Sequence, residues 1–408
     1  MASLIKVIEK SIAVMGFLYL TGGLFSIFPS VVSSLIQYAV YLMTLLFLLA
    51  RWERTIHFAL KEKMIWILIA VSLASFFWSM LPFNTLRNSI VALQTSYFGL
   101  YIASCYSIRE QIKLLAWALG IGLILCFVYT LLFPHLAIHS DGVHYGAWRA
   151  TFAQKNILAQ IATFSSLVFL FLFLTIRRNR YLACLGIILS SALLLLTTSK
   201  TAIIISVALL ALFPLYKALR WQGTKIVLLL STSVLLLAFT AIITTSNLAT
   251  VTGNIGRDVT LTGRTLIWGA TVERIRERPL LGYGRDVFWN PTSGYSEAIV
   301  RQIGGEPDKF VLPHAHNGFL DLTCDFGLLG LSLFVLSFII TYWRACIRVR
   351  TYKESDNLWP LMYLSFFFLY NLTEGSIMKH NSIFWATYVA TALSVNIMYQ
   401  KDNIYDKT

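Results

Sequence analysis

The chain has 408 residues, of which 57% are hydrophobic and only 13% are charged. Its mean hydropathy of +0.70 excludes the two or three soluble domains that this length would otherwise suggest. The formal net charge of +14 could indicate nucleic-acid binding, but much of it sits in short segments between apolar stretches. That placement is typical of a membrane protein with basic cytoplasmic loops, so we expect a lipid bilayer and no nucleic acid as its surroundings.

Apolar stretches of about 20 residues, enough to cross about 30 Å of hydrocarbon, recur along the chain. They predict an all-α polytopic membrane protein with about twelve transmembrane helices. The first stretch follows basic residues as a signal sequence would, but no small-residue cleavage site follows it, so we expect it to be retained. The predicted spans are Ser11–Pro29, Val31–Ala50, Met64–Pro82, Ser89–Ser107, Ile112–Pro134, Ile157–Ile176, Tyr181–Thr198, Thr201–Leu219, Val227–Thr245, Asn317–Trp343, Leu358–Leu372 and Ser382–Gln400.

Clusters of Lys and Arg occupy every second connection, on the same side as the N-terminus. Short basic loops stay in the cytoplasm, which predicts that both termini are cytoplasmic and that the alternate connections face outward. The largest of these, residues 246–316 between spans 9 and 10, is then an outward-facing loop inserted in a single membrane domain, residues 1–408. The other outward segments are Phe83–Asn88, His135–Asn156, Ser199–Lys200 and Gly375–Asn381.

The large loop contains one predicted amphipathic helix, Gly263–Arg278, which Pro279 would end. Leu266, Ile267, Ala270 and Ile275 fall near one face of it and charged residues on another. The loop therefore has an element that can fold against the membrane domain.

Basic residues at the outward ends of the spans are candidate anion ligands. Arg149 and Lys155 lie in the run from Trp148 to Asn156, and Lys200 lies in a tight turn between two spans. They could bind a phosphate, or they could simply extend towards lipid headgroups. Arg264 at the start of the loop helix combines a guanidinium with free backbone N–H groups and favours an anion, although an ordinary solvated arginine is the alternative.

Two histidines, His314 and His316, close the large loop directly before span 10. Imidazoles near the membrane surface offer a proton acceptor near neutral pH. A metal site is a competing interpretation, but His-x-His needs further ligands, and the candidates His135, His139 and His144 lie in another loop. The five cysteines lie in or beside spans and form no zinc or disulfide signature, so we expect no metal and no other cofactor.

Acidic residues near these histidines are candidate supports. Glu374 lies at the last outward turn with Lys379 and His380, and Asp321 and Asp325 lie early in span 10. The two aspartates could orient a histidine, or they could pair with Arg149, Lys200 or Arg264; for Asp325 we favour structural pairing. Cations and a histidine pair on one membrane face suit a lipid pyrophosphate that carries sugar.

The sequence resembles the superfamily of O-antigen ligases and Wzy-type O-antigen or exopolysaccharide polymerases, over roughly the second half to two-thirds of the chain. The order and spacing of several motifs mark this resemblance. They are Trp148-Arg149, Phe152-Ala153-Gln154-Lys155-Asn156, Ser199-Lys200-Thr201-Ala202, Leu261-Thr262-Gly263-Arg264-Thr265-Leu266-Ile267-Trp268, Arg278-Pro279-Leu280-Leu281-Gly282-Tyr283-Gly284 and His314-Ala315-His316-Asn317-Gly318-Phe319-Leu320.

The resemblance implies an inverting, metal-independent glycosyltransferase that uses undecaprenyl-diphosphate-linked glycan on the periplasmic face of the bacterial inner membrane. His316 matches the histidine proposed to activate the acceptor, and Arg264 matches the arginine thought to contact the diphosphate, with His314 beside them. Arg149, Lys155 and Lys200 would also bind the diphosphate, although Lys200 stands where arginine is more frequent. The expected supporting residues are Asn317, Asn156, Trp268 and Glu374.

Three functions remain open at this stage. The motifs look most like the exopolysaccharide-polymerase (ExoQ-like) branch, which predicts a polymerase that joins lipid-linked repeat units into O-antigen or exopolysaccharide. The alternative is an O-antigen ligase that transfers glycan to lipid A core. A transporter or flippase fits less well, because the charges lie at one face and we see no inverted repeat. A chain-length regulator and a separate flippase are possible partners of the polymerase.

Overall fold

A computed structural model describes residues 2–24, 27–140, 144–175, 180–221, 223–251, 264–307 and 311–395. Within these ranges the secondary structure is helical, and an isolated antiparallel bridge joins Ile138 to Trp148. The predicted all-α class is therefore confirmed for the described part of the chain.

The helices alternate with short connections through most of the chain. They are α1 (Ala2–Leu20), α2 (Ser30–Ala50), α3 (Trp52–Ala59), α4 (Lys63–Ala74), α5 (Pro82–Cys105), α6 (Ile108–Leu132), α7 (Pro134–Ala137), α8 (Lys155–Thr175), α9 (Arg180–Leu196), α10 (Lys200–Ala218), α11 (Thr224–Val251), α12 (Arg264–Glu277), α13 (Tyr295–Gln302), α14 (Gly318–Thr351), α15 (Trp359–Asn371) and α16 (Ile383–Val395).

A helix coincides with each predicted span, although α1 begins and ends earlier than predicted, at Ala2 and Leu20. Six helices in the described ranges are long and apolar enough to cross a membrane: α2, α6, α8, α10, α11 and α14. The chain is thus built as a polytopic membrane protein. The count of twelve spans stays a prediction, and the predicted end of the last span, residues 396–400, lies outside the described residues.

Contacts between connections fall into two groups, as alternating spans require. At one end, Arg51 pairs with Glu9, Arg109 with Asp356 and Arg344 with Glu62. At the other end, Lys155 contacts Thr198, and both Asn156 and His316 contact Glu374. The first group joins connections predicted to be cytoplasmic and the second joins connections predicted to face outward. Which end faces the cytoplasm stays a prediction.

The centre of the bundle is formed by α15 and α16, whose residues are almost all buried. A helix that is apolar on every side belongs in a protein interior, which explains their position. Gly99 of α5 lets α16 approach closely, because a Cβ there would lie 2.6 Å from the Ala386 carbonyl oxygen. Since α15 has only 13 residues, about 20 Å of helix, the connection that follows it starts inside the bundle.

The long helix α14 is broken near its N-terminal end. Gly327 has a φ of 62°, outside the helical range. The segment 279–284 of the large loop fills the break: the amides of Tyr283 and Gly284 donate to Cys324 and Asp325 carbonyls, and the Leu328 amide donates to the Pro279 carbonyl. Backbone groups freed by the break are therefore satisfied by the loop, as membrane-embedded irregular backbone requires.

The predicted loop helix is confirmed as α12, Arg264–Glu277; Gly263 lies outside the described residues. Ile267 and Ala270 are buried in a small separate core with Tyr283 and Phe288. Leu266, in contrast, is 52% exposed. The buried face of α12 is narrower than the apolar pattern suggests, since α12 packs on one side only.

Candidate functional site

The carboxylate of Glu374 is the centre of the candidate site. Its Oε1 atom lies 3.3 Å from His316 Nδ1 and 3.5 Å from Arg264 Nη2, and it accepts a 3.2 Å hydrogen bond from Asn156 Nδ2. Its Oε2 atom lies 3.7 Å from His314 Nε2. Four predicted residues from three other parts of the sequence therefore meet at this one acidic group.

The histidine segment is fixed on both sides of His316. Trp268 Nε1 of α12 donates a 2.9 Å hydrogen bond to the Ala315 carbonyl oxygen. The Ala315 amide donates to Asp321 Oδ1 at 2.8 Å. Asn317 caps the N-terminus of α14, because its side-chain oxygen accepts hydrogen bonds from the amides of Phe319 and Leu320. The expected supporting roles of Trp268 and Asn317 are thus contacts with the histidine segment and the helix that follows it.

The connection that bears Glu374 is held by the end of α15. Asn371 Oδ1 accepts hydrogen bonds from the amides of Ser376 and Ile377. Gly375 has no side chain, and a Cβ there would lie 2.4 Å from Asp321 Oδ2. A larger residue next to the site carboxylate would therefore displace the Asp321 carboxylate.

Hydrogen bonds define which imidazole nitrogens carry protons. The His316 amide donates to His314 Nδ1 at 3.1 Å, so that nitrogen is unprotonated and the proton of a neutral His314 is on Nε2. Burial and the neighbouring His316 lower the pKa of His314 to about 3, so it is neutral at pH 7. His314 is therefore a poor base at this position.

Glu374 fixes His316 in the opposite tautomer. Burial opposes ionisation of Glu374, but His316, His314 and Arg264 outweigh it and lower its pKa below the ordinary value. An ionised carboxylate can only accept, so His316 Nδ1 donates to it and Nε2 is left as an acceptor. A buried acid that orients a histidine in this way is the arrangement that general-base catalysis needs.

Arg264 is the cation nearest to the histidines. Its side chain is only 14% exposed, and Nη1 is buried with no hydrogen-bond partner among the described residues. Burial lowers the pKa of Arg264 and Glu374 opposes that effect, but the guanidinium stays charged. A buried N–H group without an acceptor costs free energy unless a ligand accepts its hydrogen bond, and a phosphate oxygen could be that acceptor.

The other predicted cations form a neighbouring group. Lys155 Nζ donates a hydrogen bond to Thr198 Oγ1 at 3.3 Å. Burial and the nearby charge of Lys200 lower the pKa of Lys155. Arg149 Nε donates to the Leu136 carbonyl oxygen. Lys155 and Asn156 are consecutive, so the first turn of α8 contributes one residue to this group and one to the Glu374 site.

Three groups at the site have the spacing of a metal site. The ligand atoms of His314, His316 and Glu374 lie within 4.8 Å of one another. The metal alternative considered from the sequence took His314 and His316 as ligands and His135, His139 and His144 as candidates for the further ones. Arg264 and Asn156 already contact Glu374 Oε1, and the positive guanidinium would repel a dication there. The guanidinium beside these three groups therefore disfavours a divalent metal ion.

The partner of Asp325 differs from every candidate considered from the sequence. It pairs with Arg285, whose Nη1 lies 2.9 Å from Asp325 Oδ2, and both side chains are buried. The prediction of structural pairing is confirmed, but Arg149, Lys200 and Arg264 are wrong as partners. Asp286 next to Arg285 also pairs with His380, at 3.2 Å. The signal for this second cluster was the Gly282-Tyr283-Gly284 run, whose glycines precede Arg285.

Unusual backbone conformations concentrate near the same end. The described non-glycine residues with positive φ are Ala150, Thr198, Asp286, His316, Met378 and Asn381, with φ between 47° and 53°. All lie in or directly beside segments predicted to face outward. Strained backbone persists where surrounding contacts enforce it and is frequent at functional sites.

Residues 185–335 match the protein-family model described as O-antigen ligase. This region contains Lys200, Arg264, Trp268 and both site histidines, whereas Asn156 and Glu374 lie outside it.

The chain is also similar to two curated proteins. It is 26% identical over 288 residues to the "Exopolysaccharide production protein ExoQ" of Rhizobium meliloti (strain 1021), covering 67% of this chain and 62% of that protein. It is 32% identical over 95 residues to a "Putative polysaccharide ligase" of Rickettsia conorii, covering 23% of this chain and 20% of that protein. The matches thus span less than two thirds of either relative.

Proposed function

We propose that this chain, which belongs to the O-antigen ligase and ExoQ-like family, is a membrane glycosyltransferase that polymerises undecaprenyl-diphosphate-linked oligosaccharide units on the periplasmic face. The observation that carries the proposal is the carboxylate-oriented His316 beside a buried guanidinium with an unpaired N–H group. Transfer of a glycan from a lipid diphosphate needs a base and a cation that binds the diphosphate, and here both groups contact the same acid.

The proposed reaction is a single displacement. His316 Nε2 takes the proton from an acceptor hydroxyl as its oxygen attacks the anomeric carbon of the donor sugar. The bond from that carbon to the diphosphate oxygen breaks, and undecaprenyl diphosphate leaves with the bonding electrons. Attack opposite the leaving group inverts the anomeric configuration. Arg264 neutralises the charge that develops on the diphosphate, with Arg149, Lys155 and Lys200 as further cations.

A polymerase and a ligase share this donor chemistry and differ in the acceptor. Similarity to an exopolysaccharide production protein over two thirds of the chain favours a polymerase. The family description and the shorter match to a putative polysaccharide ligase favour an O-antigen ligase that uses lipid A core. We take polymerisation as the proposed function and ligation as the second candidate.

The test is a product assay with purified protein in liposomes, supplied with an undecaprenyl-diphosphate repeat unit with or without lipid A core. Products are resolved by gel and mass spectrometry. A glycan ladder formed without core supports the polymerase, and transfer only to core supports the ligase. Absence of product with both acceptors, from folded protein and a range of repeat units, contradicts the proposed function and favours a transporter.

Two controls connect the product to the site. His316→Ala should abolish transfer while protein abundance and thermal unfolding stay near wild type, because His316 is partly exposed and packs in no core. Chelation with EDTA, together with metal analysis of the purified protein, separates the anion site from a metal site. Loss of activity on chelation, restored by a single metal, would favour His314, His316 and Glu374 as metal ligands.

A further inference from the structure

Two acidic residues on one face of α14 hold the two halves of the candidate site. Asp321 and Asp325 are four residues apart, so they lie one helical turn from each other. Asp321 accepts a hydrogen bond from the Ala315 amide and thereby fixes the histidine segment. Asp325 contacts Arg285 instead, on the large loop. The first acid thus supports the histidines, and the second binds an arginine of the large loop.

Arg285 reaches across to the connection that bears Glu374. Its Nη1 donates to Asp325 Oδ2 at 2.9 Å, and its Nη2 donates to the Met378 carbonyl oxygen. Met378 is completely buried and has a φ of 52°. The guanidinium therefore joins the broken part of α14 to the strained part of the 372–382 connection, four residues after Glu374.

The backbone of Arg285 is fixed as firmly as its side chain. Its amide donates to Ser75 Oγ, and its carbonyl oxygen accepts from Thr85 Oγ1. The preceding segment fills the break in α14, where a Cβ on Gly282 would lie 2.5 Å from the Cys324 carbonyl oxygen. Asp286, the next residue, donates its amide to Asp325 Oδ1. Around Arg285, the large loop is thus attached to the membrane helices by several independent contacts.

We infer that Arg285 is a positioning residue that holds Glu374 in register with His316 by tying the Met378 carbonyl oxygen to Asp325. This inference rests on the proposed glycosyl transfer, and it assigns a role to a residue outside the diphosphate-binding set. The two hydrogen bonds use two different nitrogen atoms, Nη1 and Nη2, which the planar guanidinium holds at a fixed separation and which the single Nζ atom of lysine does not replace. Lysine keeps the charge but cannot make both hydrogen bonds with the same geometry.

The test is Arg285→Lys in liposomes, with kcat and KM for the lipid-linked donor measured separately. Because Arg264 and the other cations stay in place, we expect KM to change less than about 3-fold. We expect kcat to fall by about 10- to 100-fold, because Glu374 and His316 are no longer correctly placed relative to each other. Asp325→Asn removes the charge that orients Arg285 and should show the same pattern. Arg301→Lys, which alters an exposed ion pair with Glu297 in the same loop, is the matched control and should leave both parameters unchanged.

The outcomes separate three cases. A purely structural role predicts that Arg285→Lys lowers thermal stability and yield while kcat per folded molecule stays at the wild-type value, and that result overturns the inference. A rise in KM with unchanged kcat would make Arg285 a donor ligand and would overturn it too. If wild-type protein itself transfers no glycan, the proposed function fails, independently of Arg285.

Discussion

Replacement of Glu374 by glutamine tests the candidate site most directly. The substitution keeps the shape of the side chain and removes one charge from a group that contacts His316, His314, Arg264 and Asn156. A glutamine amide can donate to His316 Nδ1, which would put the imidazole proton on Nε2 and leave the base unable to accept. General-base catalysis contributes about 10²- to 10⁴-fold, so we expect kcat to fall by that factor, equivalent to about 3–5 kcal/mol of barrier.

Donor affinity should respond differently from rate in Glu374→Gln. Arg264 keeps its charge and loses a competing carboxylate, so we expect KM for the lipid-linked donor to change by no more than a few-fold. The assay is the liposome product assay with initial rates at several donor concentrations. Glu62→Gln is a matched control, because Glu62 is also a buried acid paired with an arginine, Arg344 at 3.1 Å. A Glu374→Gln enzyme that retains more than about a tenth of the wild-type kcat would refute the assigned orientation of His316.

Two further predictions address binding and pH. Arg264→Gln should weaken binding of the donor diphosphate by about 10- to 100-fold, the value of one or two charge-assisted hydrogen bonds, and Arg264→Lys should lie between it and wild type. Titration with undecaprenyl diphosphate measures the affinity, and Arg276→Gln on the exposed side of α12 is the control. Equal affinity of wild type, Arg264→Gln and Arg264→Lys would contradict the phosphate-binding role of Arg264. His314 has a pKa near 3 in the folded protein, against 6.5 ordinarily. As the pH drops below about 6.5, His314 is therefore protonated in the unfolded state but stays neutral in the folded state, and the free energy of unfolding falls by at most about 1.4 kcal/mol per pH unit. Thermal unfolding in detergent should therefore show a weaker acid dependence between pH 7 and 5 for His314→Gln than for wild type, and identical slopes would show that His314 is not buried as a neutral ring.

The strained backbone at His316 gives the site a fixed geometry before substrate arrives. A φ of 52° directs the histidine side chain towards Glu374, and contacts of Ala315 with Trp268 and Asp321 prevent relaxation. Preorganisation of this kind reduces the reorganisation needed during the reaction. The same contacts explain why a tryptophan on the loop helix accompanies the histidine pair in the sequence.

The helices and the chemical groups of the site could be predicted from the amino-acid sequence. Hydrophobic runs of bilayer length predicted the helices, because the exclusion of water forces backbone groups to pair within each segment. The placement of Lys and Arg assigned the connections to two alternating sets. The types of polar residue at the ends of the spans, with the resemblance to glycan ligases and polymerases, indicated His316, His314, Arg264 and Glu374 as candidate site residues.

Which of these groups contact each other follows from the packing of the helices and could not be predicted. Glu374 follows His316 by nearly sixty residues, and hydrophobic periodicity gives no information on which outward connections are neighbours. The pairing of Asp325 with Arg285 depends on the break in α14 at Gly327 and on the loop segment that fills it. Long-range contacts of this kind follow from how helices pack and how freed backbone groups are satisfied, which a local pattern of residues does not encode.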